Sequence, residues 1–397
     1  MFIELLQLWG LVSGTFHYLV VHFFAFVVFS LIVRHMYARG YAPFTGRSSS
    51  NPHRHLRVSV VIPEYNEDLE ILERTLESVA ENRPDEVIVV HDDGRTEVRE
   101  LASKYGAKVI SLPERVGKRR ALVHGWQVAS GDIIVHVDSD VMLHKSAIDE
   151  IIKPFESDPK IVGVQGRNLV YRRKSWFAWR LSELIEANRD WNNKALNGRL
   201  VVVDGRFNAW RRDWLLKHVD QFLNERFLGR LCEIGDDRFL TWLANLEGFR
   251  TVYQATAVAE TASPRTYVDY IKQQLRWARS GYKFFFKDFI SGLVKRVPWQ
   301  YVLFQVSYYL GPLSFTVAIL YDTLFAPPLL SIPLWSIVPL AVIGSGLIAL
   351  MRRLAVGLTK MTITEFLLLG ATSLFIHYPL MLYALATMMK QGSWLTR

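Results

Sequence analysis

Apolar residues are concentrated near the two ends of this chain of 397 residues, and the stretch between them is polar. Residues 11–33 contain no Asp, Glu, Lys or Arg. A helix of that length, rising about 1.5 Å per residue, crosses a hydrocarbon core of roughly 30 Å. Apolar sequence returns in three blocks, at residues 299–325, 333–351 and 363–389. The pattern predicts a polar domain inserted between an N-terminal transmembrane helix and a C-terminal helical transmembrane region.

The first apolar block predicts a membrane anchor over residues 1–40 rather than a cleaved signal peptide. Residues 1–10 carry no Lys or Arg, the apolar core is longer than a signal core, and no small-residue cleavage site follows. The basic flank that begins at Arg34 predicts that the next segment lies on the cytoplasmic side. Cys232 is the only cysteine, which excludes a disulfide framework and a cysteine metal cluster.

The formal net charge of +9 and the pI near 9.5 fit Lys and Arg side chains that face anionic lipid head groups. Membrane lipids are therefore expected partners. No familiar nucleic-acid-binding motif accompanies the basic residues, so we expect no nucleic-acid partner.

The polar domain, residues 55–262, alternates strand and helix patterns. A β-branched strand over residues 58–62 ends at Pro63, and Leu69, Leu72, Leu76 and Val79 follow at helical spacing. Two further strand and helix units follow, which predicts a parallel sheet covered by helices on both faces. In such sheets ligands bind beyond the carboxyl ends of the strands.

Acidic residues stand at two of those strand ends. Asp92 and Asp93 follow one strand, and Asp138 and Asp140 follow another. Neither turn is rich in glycine, so backbone amides are not expected to cradle a phosphate. Two carboxylates offered to a diphosphate need a divalent cation between them, and oxygen ligands suit Mg²⁺ or Mn²⁺. The alternative is a polar loop with no ligand.

Two later segments carry further polar side chains. Asp236, Asp237 and Arg238 precede the apolar side of a helix, where the acids are either helix caps or include a general base. Gln273, Arg276 and Trp277 share one face of a predicted helix.

We interpret residues 263–297 as amphipathic interface helices, with Lys and Arg toward head groups and Phe toward acyl chains. The alternative is a purely structural interfacial helix, whose cation and indole are only membrane anchors.

Seven motifs occur in one order: VVIPEYNE, VHDDG, GKRRAL, HVDSD, GDDR, QQLRW and SWLTR. In that order they resemble the membrane-embedded, polymer-making glycosyltransferases of family 2, which have a GT-A (Rossmann-like) α/β fold. Among them, the hyaluronan synthases and the type 3 capsular polysaccharide synthases are the most similar in motif. The likeness spans residues 58–397.

The resemblance implies a role for each matched residue. Asp92, Asp93 and Lys118 would bind the nucleotide of a UDP-sugar, and Asp138 and Asp140 the diphosphate and its metal. Asp237 would be the catalytic base, with Asp236 and Arg238 beside it. Donor contacts would also come from Arg276 and from Arg397 in a cytoplasmic tail, residues 391–397. Gln273 and Trp277 would hold the acceptor.

Two positions depart from the family pattern or extend it. Leu395 replaces the glycine of the relatives' tail motif, which affects how the tail would close; alternatively the tail is a frayed basic end. Arg206 is a candidate for binding an acidic acceptor sugar, as is Arg211, although both could be surface charges.

The first functional hypothesis is a multi-pass cell-membrane enzyme with its active site facing the cytoplasm. It would extend a growing polysaccharide by inverting transfer and move the polymer outward. The alternatives are transfer of one sugar to a lipid acceptor, and a scaffold with an inactive domain. Within the transmembrane region, residues 298–390, a cytoplasmic tail requires the last block to be broken or re-entrant, and we expect that break at His377 to Pro379.

Overall fold

The computed structural model describes residues 26–45, 56–91, 95–325, 342–343, 346–347, 350 and 362–390. Asp92, Asp93 and the tail that ends at Arg397 lie outside the described residues. So do most of the first apolar block and most of the second of the three later ones.

The described residues include ten strands, thirteen longer helices and a short 3-10 helix at Leu293–Lys295. The strands are β1 (Val58–Glu64), β2 (Glu86–His91), β3 (Lys108–Ser111), β4 (Ile133–Val137), β5 (Val141–Leu143), β6 (Ile161–Tyr171), β7 (Phe207–Arg211), β8 (Arg226–Phe227), β9 (Arg230–Leu231) and β10 (Arg250–Ala262). Residues 26–39 form α1. The next helices are α2 (Leu69–Glu81), α3 (Thr96–Lys104), α4 (Lys118–Val128), α5 (Ala147–Ser157), α6 (Trp176–Ala195), α7 (Arg212–Lys217), α8 (Val219–Leu223) and α9 (Asp236–Leu246). The last are α10 (Tyr267–Ile290), α11 (Trp299–Tyr309), α12 (Gly311–Phe325) and α13 (Ile363–Ala386).

Eight strands form one sheet in the order β3-β2-β1-β4-β7-β6-β10-β5. β1 is parallel to β2 and β4, but β7 is antiparallel to both of its neighbours, and β5 is antiparallel to β10. The prediction of a parallel sheet is therefore wrong for these two strands, and the sheet is mixed. Because β7 runs backward, its first residue lies at the edge where β4 ends.

The sheet is covered on both faces, as its sequence pattern predicts. Val60 and Ile62 pack into one apolar cluster and Val61 into another, because successive side chains of a strand point to opposite faces. The helical spacing in α2 is also confirmed, since Leu72 and Leu76 are buried against the first cluster.

Pro63 lies inside β1 instead of ending it. β1 pairs with β2 as far as Glu64 and His91, whereas its pairing with β4 ends at Val61. A proline has no N–H to donate. Beyond Val61 no residue of β4 pairs with β1, so Pro63 is tolerated because no hydrogen bond from its nitrogen is needed on that side.

Within the described part of the chain, one helix is long and apolar enough to cross a membrane, and it is α13. The break expected at His377 to Pro379 does not occur. A π-helical turn over Ser373–His377 carries the helix through Pro379, and such a turn re-satisfies carbonyls that a proline leaves without a donor. The His377 Nε2 lies 2.7 Å from the hydroxyl of Tyr270, which ties this turn to α10.

α10 begins at a capping box formed by Thr266 and Asp269. The amphipathic interface helices predicted over residues 263–297 stay a prediction, and most side chains in the second half of α10 are covered by other parts of the protein. Phe284 and Lys283 are fully buried, and only the last residues, such as Ile290, are well exposed. Lys283 and Phe284 contact the polar domain. Tyr282 and Phe285 pack instead with the helices α11 and α13, so this half of α10 lies between the domain and those helices.

Candidate active site

The turn after β4 places Asp138 and Asp140 at the carboxyl edge of the sheet. All five residues of β4 are buried, and the N–H of Asp138 donates to the carbonyl of Arg206 at 3.0 Å. The Thr75 hydroxyl holds the turn from below by donating to the Ser139 carbonyl at 3.0 Å. Both carboxylates remain partly exposed, so this turn can present them to a ligand.

Lys118 joins this turn to the start of α9. Its Nζ lies 2.5 Å from Oδ1 of Asp138 and 4.0 Å from Oδ2 of Asp236. Burial alone would lower the pKa of Lys118, but the charges of Asp138 and Asp236 outweigh it and raise that pKa. The ammonium is therefore charged and holds the turn after β4 close to the start of α9.

Asp237 is a half-buried carboxylate at the start of α9. Burial, and then the negative charges of Asp236 and Asp204, raise the pKa of Asp237 to about 6. Its two oxygens accept the N–H groups of Gly205 at 3.2 Å and Arg238 at 2.7 Å. A carboxylate with a pKa near neutrality can take a proton from a substrate hydroxyl.

Gly205 lies at the centre of these side chains. A Cβ at this position would stand 3.4 Å from the Asp237 Cβ, 3.4 Å from the Lys118 Nζ and 3.7 Å from Oδ2 of Asp236. The loop before β7 thus completes the site.

Beside this loop, the ring of Trp277 contacts two arginines, Arg189 and Arg206, that both bind Asp204. The guanidinium carbons of Arg189 and Arg206 are 4.3 and 5.8 Å from the centroid of its ring. Both arginines donate to Asp204, and Arg206 also donates to Glu186 at 2.8 Å. Burial alone would raise the pKa of Asp204, but Arg206 and Arg189 hold it below its usual range. Arg206 thus supports the indole from beneath, and its predicted acceptor contact stays a prediction.

The remaining predicted residues are placed as follows. Gln273 and Arg276 lie on α10 and are partly buried, like Trp277. Arg238 is 8% exposed and donates to the hydroxyl of Tyr309 at 2.8 Å, so it fixes α9 to α11. Arg211 donates to the carbonyls of Ile161 and Phe155 at the opposite end of the sheet, which excludes it from the site.

Sequence reasoning missed a cluster at the ends of β1 and β2. Glu64 accepts hydrogen bonds from Arg95 at 2.6 Å and from the N–H of Glu67 at 2.8 Å, and the Nδ1 of His91 is 2.7 Å from it. Arg173 donates to Glu67 at 3.1 Å. The two acids of the PEYNE motif were the available signal, and the pairing of β1 with β2 shows why Glu64 meets His91.

Sequence reasoning also missed the cations that hold the start of α9. Lys283 and Arg119 both donate to the carbonyl of Ile234, at 3.0 and 3.4 Å, and both pair with the buried Glu225. Lys287 adds a third contact to that carboxylate at 3.0 Å. The segment before Asp236 is thereby fixed to α4 and α10.

A divalent cation fits this donor set. Within the described ranges, no cluster of three or more His, Cys, Asp or Glu side chains is arranged to hold a metal. The protein would contribute Asp138 and Asp140, which matches Mg²⁺ and Mn²⁺ sites completed by substrate phosphates. Asp140 is also close enough to Tyr171 that, after burial, its charge contributes to raising the pKa of Tyr171 to about 12.

The fold and these carboxylates define a transferase domain of GT-A type, and comparison with known proteins agrees. Residues 53–280 match the model of the "Glycosyltransferase like family 2" family. The chain belongs to this family.

Two relatives are similar over most of the chain. A hyaluronan synthase of Streptococcus pyogenes serotype M3 is 31% identical over 90% of this chain and 86% of its own. An N-acetylglucosaminyltransferase of Rhizobium meliloti is 30% identical over 86% of this chain and 81% of its own. The predicted class, a family 2 glycosyltransferase similar to hyaluronan synthases, is confirmed.

Among solved structures, the fold is similar to that of a mannosyltransferase from Pyrobaculum calidifontis in complex with GDP-Man and Mn²⁺. The TM-score is 0.59 at 19% identity, over 91% of this chain and 99% of the other. The similarity confirms the GT-A (Rossmann-like) α/β fold predicted from the sequence.

Proposed function

We propose that this glycosyltransferase is a membrane-bound synthase that extends a polysaccharide from UDP-sugars at the cytoplasmic face and passes the polymer outward. The observation that carries the proposal is the meeting of Asp138, Asp236 and Asp237 around Lys118 and Gly205. Similarity to a hyaluronan synthase over 90% of the chain supports polymerisation. The same similarity does not favour the alternative, which is transfer of one sugar to a lipid acceptor.

Asp237 is the proposed general base of the reaction. The acceptor hydroxyl oxygen forms a bond to the anomeric carbon of the donor, and the bond from that carbon to the diphosphate breaks. The electron pair of the broken bond leaves with UDP, and the hydroxyl proton passes to Asp237. One displacement of this kind inverts the anomeric centre and needs no covalent intermediate on the protein.

Lys118 and the acidic turn are the proposed donor site. Mn²⁺ or Mg²⁺ held by Asp138 and Asp140 would supply positive charge for the diphosphate, as the Mn²⁺ complex of the structural neighbour suggests. Arg276, Asp92, Asp93 and Arg397 remain proposed contacts of the nucleotide. Lys118 would orient the diphosphate because its ammonium already lies among the carboxylates.

Trp277 is the proposed platform for the acceptor. A sugar ring exposes C–H groups on its faces, and these pack well on an indole. The arginines beneath the ring hold it rigidly, since Arg189 and Arg206 are themselves fixed by Asp204. Gln273, one turn earlier in α10, would contact the same sugar.

The membrane placement rests on the apolar pattern and on α13. This helix is 24 residues long with a mean hydropathy of 1.5 over its most apolar window, which is enough to span a bilayer. α1, α11 and α12 are proposed to accompany it. α10 connects the active site to these helices through the His377 contact with Tyr270.

The test is a donor panel with the purified full chain. UDP release is measured with Mn²⁺ or Mg²⁺ and UDP-sugars, singly and in pairs, and the products are sized by gel filtration. We expect a long polymer with one sugar or one pair. A product of one sugar on lipid would replace the proposal by lipid glycosylation, and release from no UDP-sugar would refute the donor class.

A matched pair of variants assigns the activity to this site. Asp237→Asn should lower UDP release by about 10² or more, since it removes a general base. Asp213→Asn makes the same chemical change at a side chain that is fully exposed, and it should behave as wild type. Equal activity of the two variants would exclude Asp237 as the base.

A further inference from the structure

A cavity lined by arginines lies away from the active site. The end of α6, the start of β10 and the start of α11 enclose about 290 Å³, and its lining includes Arg199, Arg250 and Gln300. Arg250 is at the amino end of β10, beside Ile161. Asp138 follows the carboxyl end of β4, so the cavity and the active site occupy opposite edges of the sheet.

The lining of the cavity includes two arginines, of which Arg250 forms an ion pair with Asp158 outside the lining and Arg199 forms no ion pair within the described structure. None of the described residues that line it is acidic. Nη2 of Arg199 donates to the carbonyl of Gly248 at 3.0 Å, but Nη1 of Arg199 is buried and has no hydrogen-bond partner within the described structure. Burial and the charge of Arg250 both lower the pKa of Arg199. A buried donor without a partner is costly, so this position favours an anion.

Arg250 contributes the second guanidinium. One nitrogen, Nη1, is held by Asp158 at 2.7 Å. The other two, Nη2 and Nε, lie 3.6 and 3.9 Å from the point that a Cβ on Gly198 would occupy. Gly198 has no side chain and therefore leaves these donors accessible from the cavity.

The walls of the cavity reach the helices proposed to enter the membrane. Leu196 packs in one apolar cluster with Val33 of α1 and Val297, just before α11. Trp299, the first residue of α11, is 54% exposed and stacks on Phe29 of α1 with centroids 6.5 Å apart. Exposed tryptophans of this kind mark the head-group level of a bilayer.

We propose that this cavity binds the phosphate of an anionic membrane-lipid head group, with Arg199 and Arg250 as its ligands. A guanidinium presents a planar fork of donors that fits two phosphate oxygens. The amino end of α11 forms part of the rim, and its dipole also favours an anion. The assignment of a lipid, and not a soluble anion, rests on the proposed membrane placement. The cavity itself is separate from the site of the transfer reaction.

The test counts lipids on the full chain by native mass spectrometry from mixed micelles of phosphatidylglycerol and phosphatidylcholine. We expect wild type to retain one phosphatidylglycerol with a preference of about tenfold or more. Arg199→Gln should reduce that preference to near parity. Arg57→Gln, at an exposed arginine elsewhere on the domain, is the matched control and should keep it. No preference in wild type, or an unchanged one in Arg199→Gln, would overturn the proposal.

Two further arms keep the result interpretable. Gln300→Glu adds a negative charge at the rim and should also abolish the preference, which gives a second variant if Arg199→Gln fails to fold. Inorganic phosphate should not displace the lipid. Complete displacement would overturn the head-group assignment in favour of a soluble anion. UDP release by Arg199→Gln should stay within about twofold of wild type, which separates this site from the transferase itself.

Discussion

Lys118 stands among the carboxylates of the active site, and Lys118→Met tests whether they need a cation to stay together. Its Nζ is 2.5 Å from Asp138 and 4.0 Å from Asp236, and its side chain is 13% exposed. Two unit charges 4 Å apart attract by about 4 kcal/mol at an effective dielectric constant near 20. Removing one partner of a buried pair costs about 3–5 kcal/mol. Asp138 is partly open to water, so we expect a loss of about 3 kcal/mol without divalent metal.

Thermal unfolding followed by circular dichroism, in detergent with a chelator, measures this loss. A change of 1 kcal/mol shifts the midpoint of a domain this size by roughly 2–4 °C, so Lys118→Met should unfold about 6–12 °C lower. Lys145→Met, at an exposed lysine, should unfold like wild type. Mn²⁺ should restore more stability to Lys118→Met than it adds to wild type.

Two results would refute this reasoning. Equal midpoints for Lys118→Met and Lys145→Met would mean that the ammonium does not hold the carboxylates together. A lower midpoint that Mn²⁺ leaves unchanged would mean that no divalent cation takes its place.

Further variants test the rest of the site. The pKa of Asp237 is raised in the folded state, so its contribution to stability is present at low pH and is lost as pH rises through about 6. The variant Asp237→Asn should therefore unfold at a higher temperature than wild type at pH 7.5. The unfolding midpoints of the two proteins should converge below about pH 4. UDP release by wild type should fall as the pH drops below about 6, because the base becomes protonated. Glu225→Gln should cost about 3–5 kcal/mol, measured by urea unfolding, since it leaves buried cations unpaired. Gly235→Ala should cost about 2–4 kcal/mol by the same assay, because its φ is +80° and a Cβ would stand 2.3 Å from the Ser280 hydroxyl. Trp277→Ala should raise the acceptor KM at least about tenfold with little change in unfolding midpoint, whereas Trp277→Phe should retain most activity; equal loss in both would argue against a stacking platform.

Local periodicity was enough to predict the first half of the sheet. The spacing of Leu72 and Leu76 predicted the buried face of α2. The acidic residues after β4 pointed to the edge of the sheet where Lys118 lies between Asp138 and Asp236. These signals are short-range, because a helix or strand repeats its pattern within a few residues.

Contacts between distant segments could not be predicted in the same way. Nothing in the segment around Lys283 predicts its burial, which is explained by Glu225, 58 residues earlier, and by the carbonyl of Ile234. The direction of β7 is equally invisible locally, since the alternation of a strand is the same whichever way it runs. Its own segment likewise gives no sign that Arg206 pairs with Asp204 and Glu186.

The reversed direction of β7 has a geometric consequence for this enzyme. At the parallel strands the site residues follow the carboxyl end of a strand. At β7, which is antiparallel, the site residue Gly205 precedes the strand. The first residues of β7 pair with Val137 of β4 on one side and with Gln165 of β6 on the other. The register of β7 is therefore fixed by its neighbours and not by the loop that precedes it. Changes in the length of that preceding loop are therefore expected to move Gly205 relative to Lys118 and Asp237 while the pairing of β7 with its neighbours is kept.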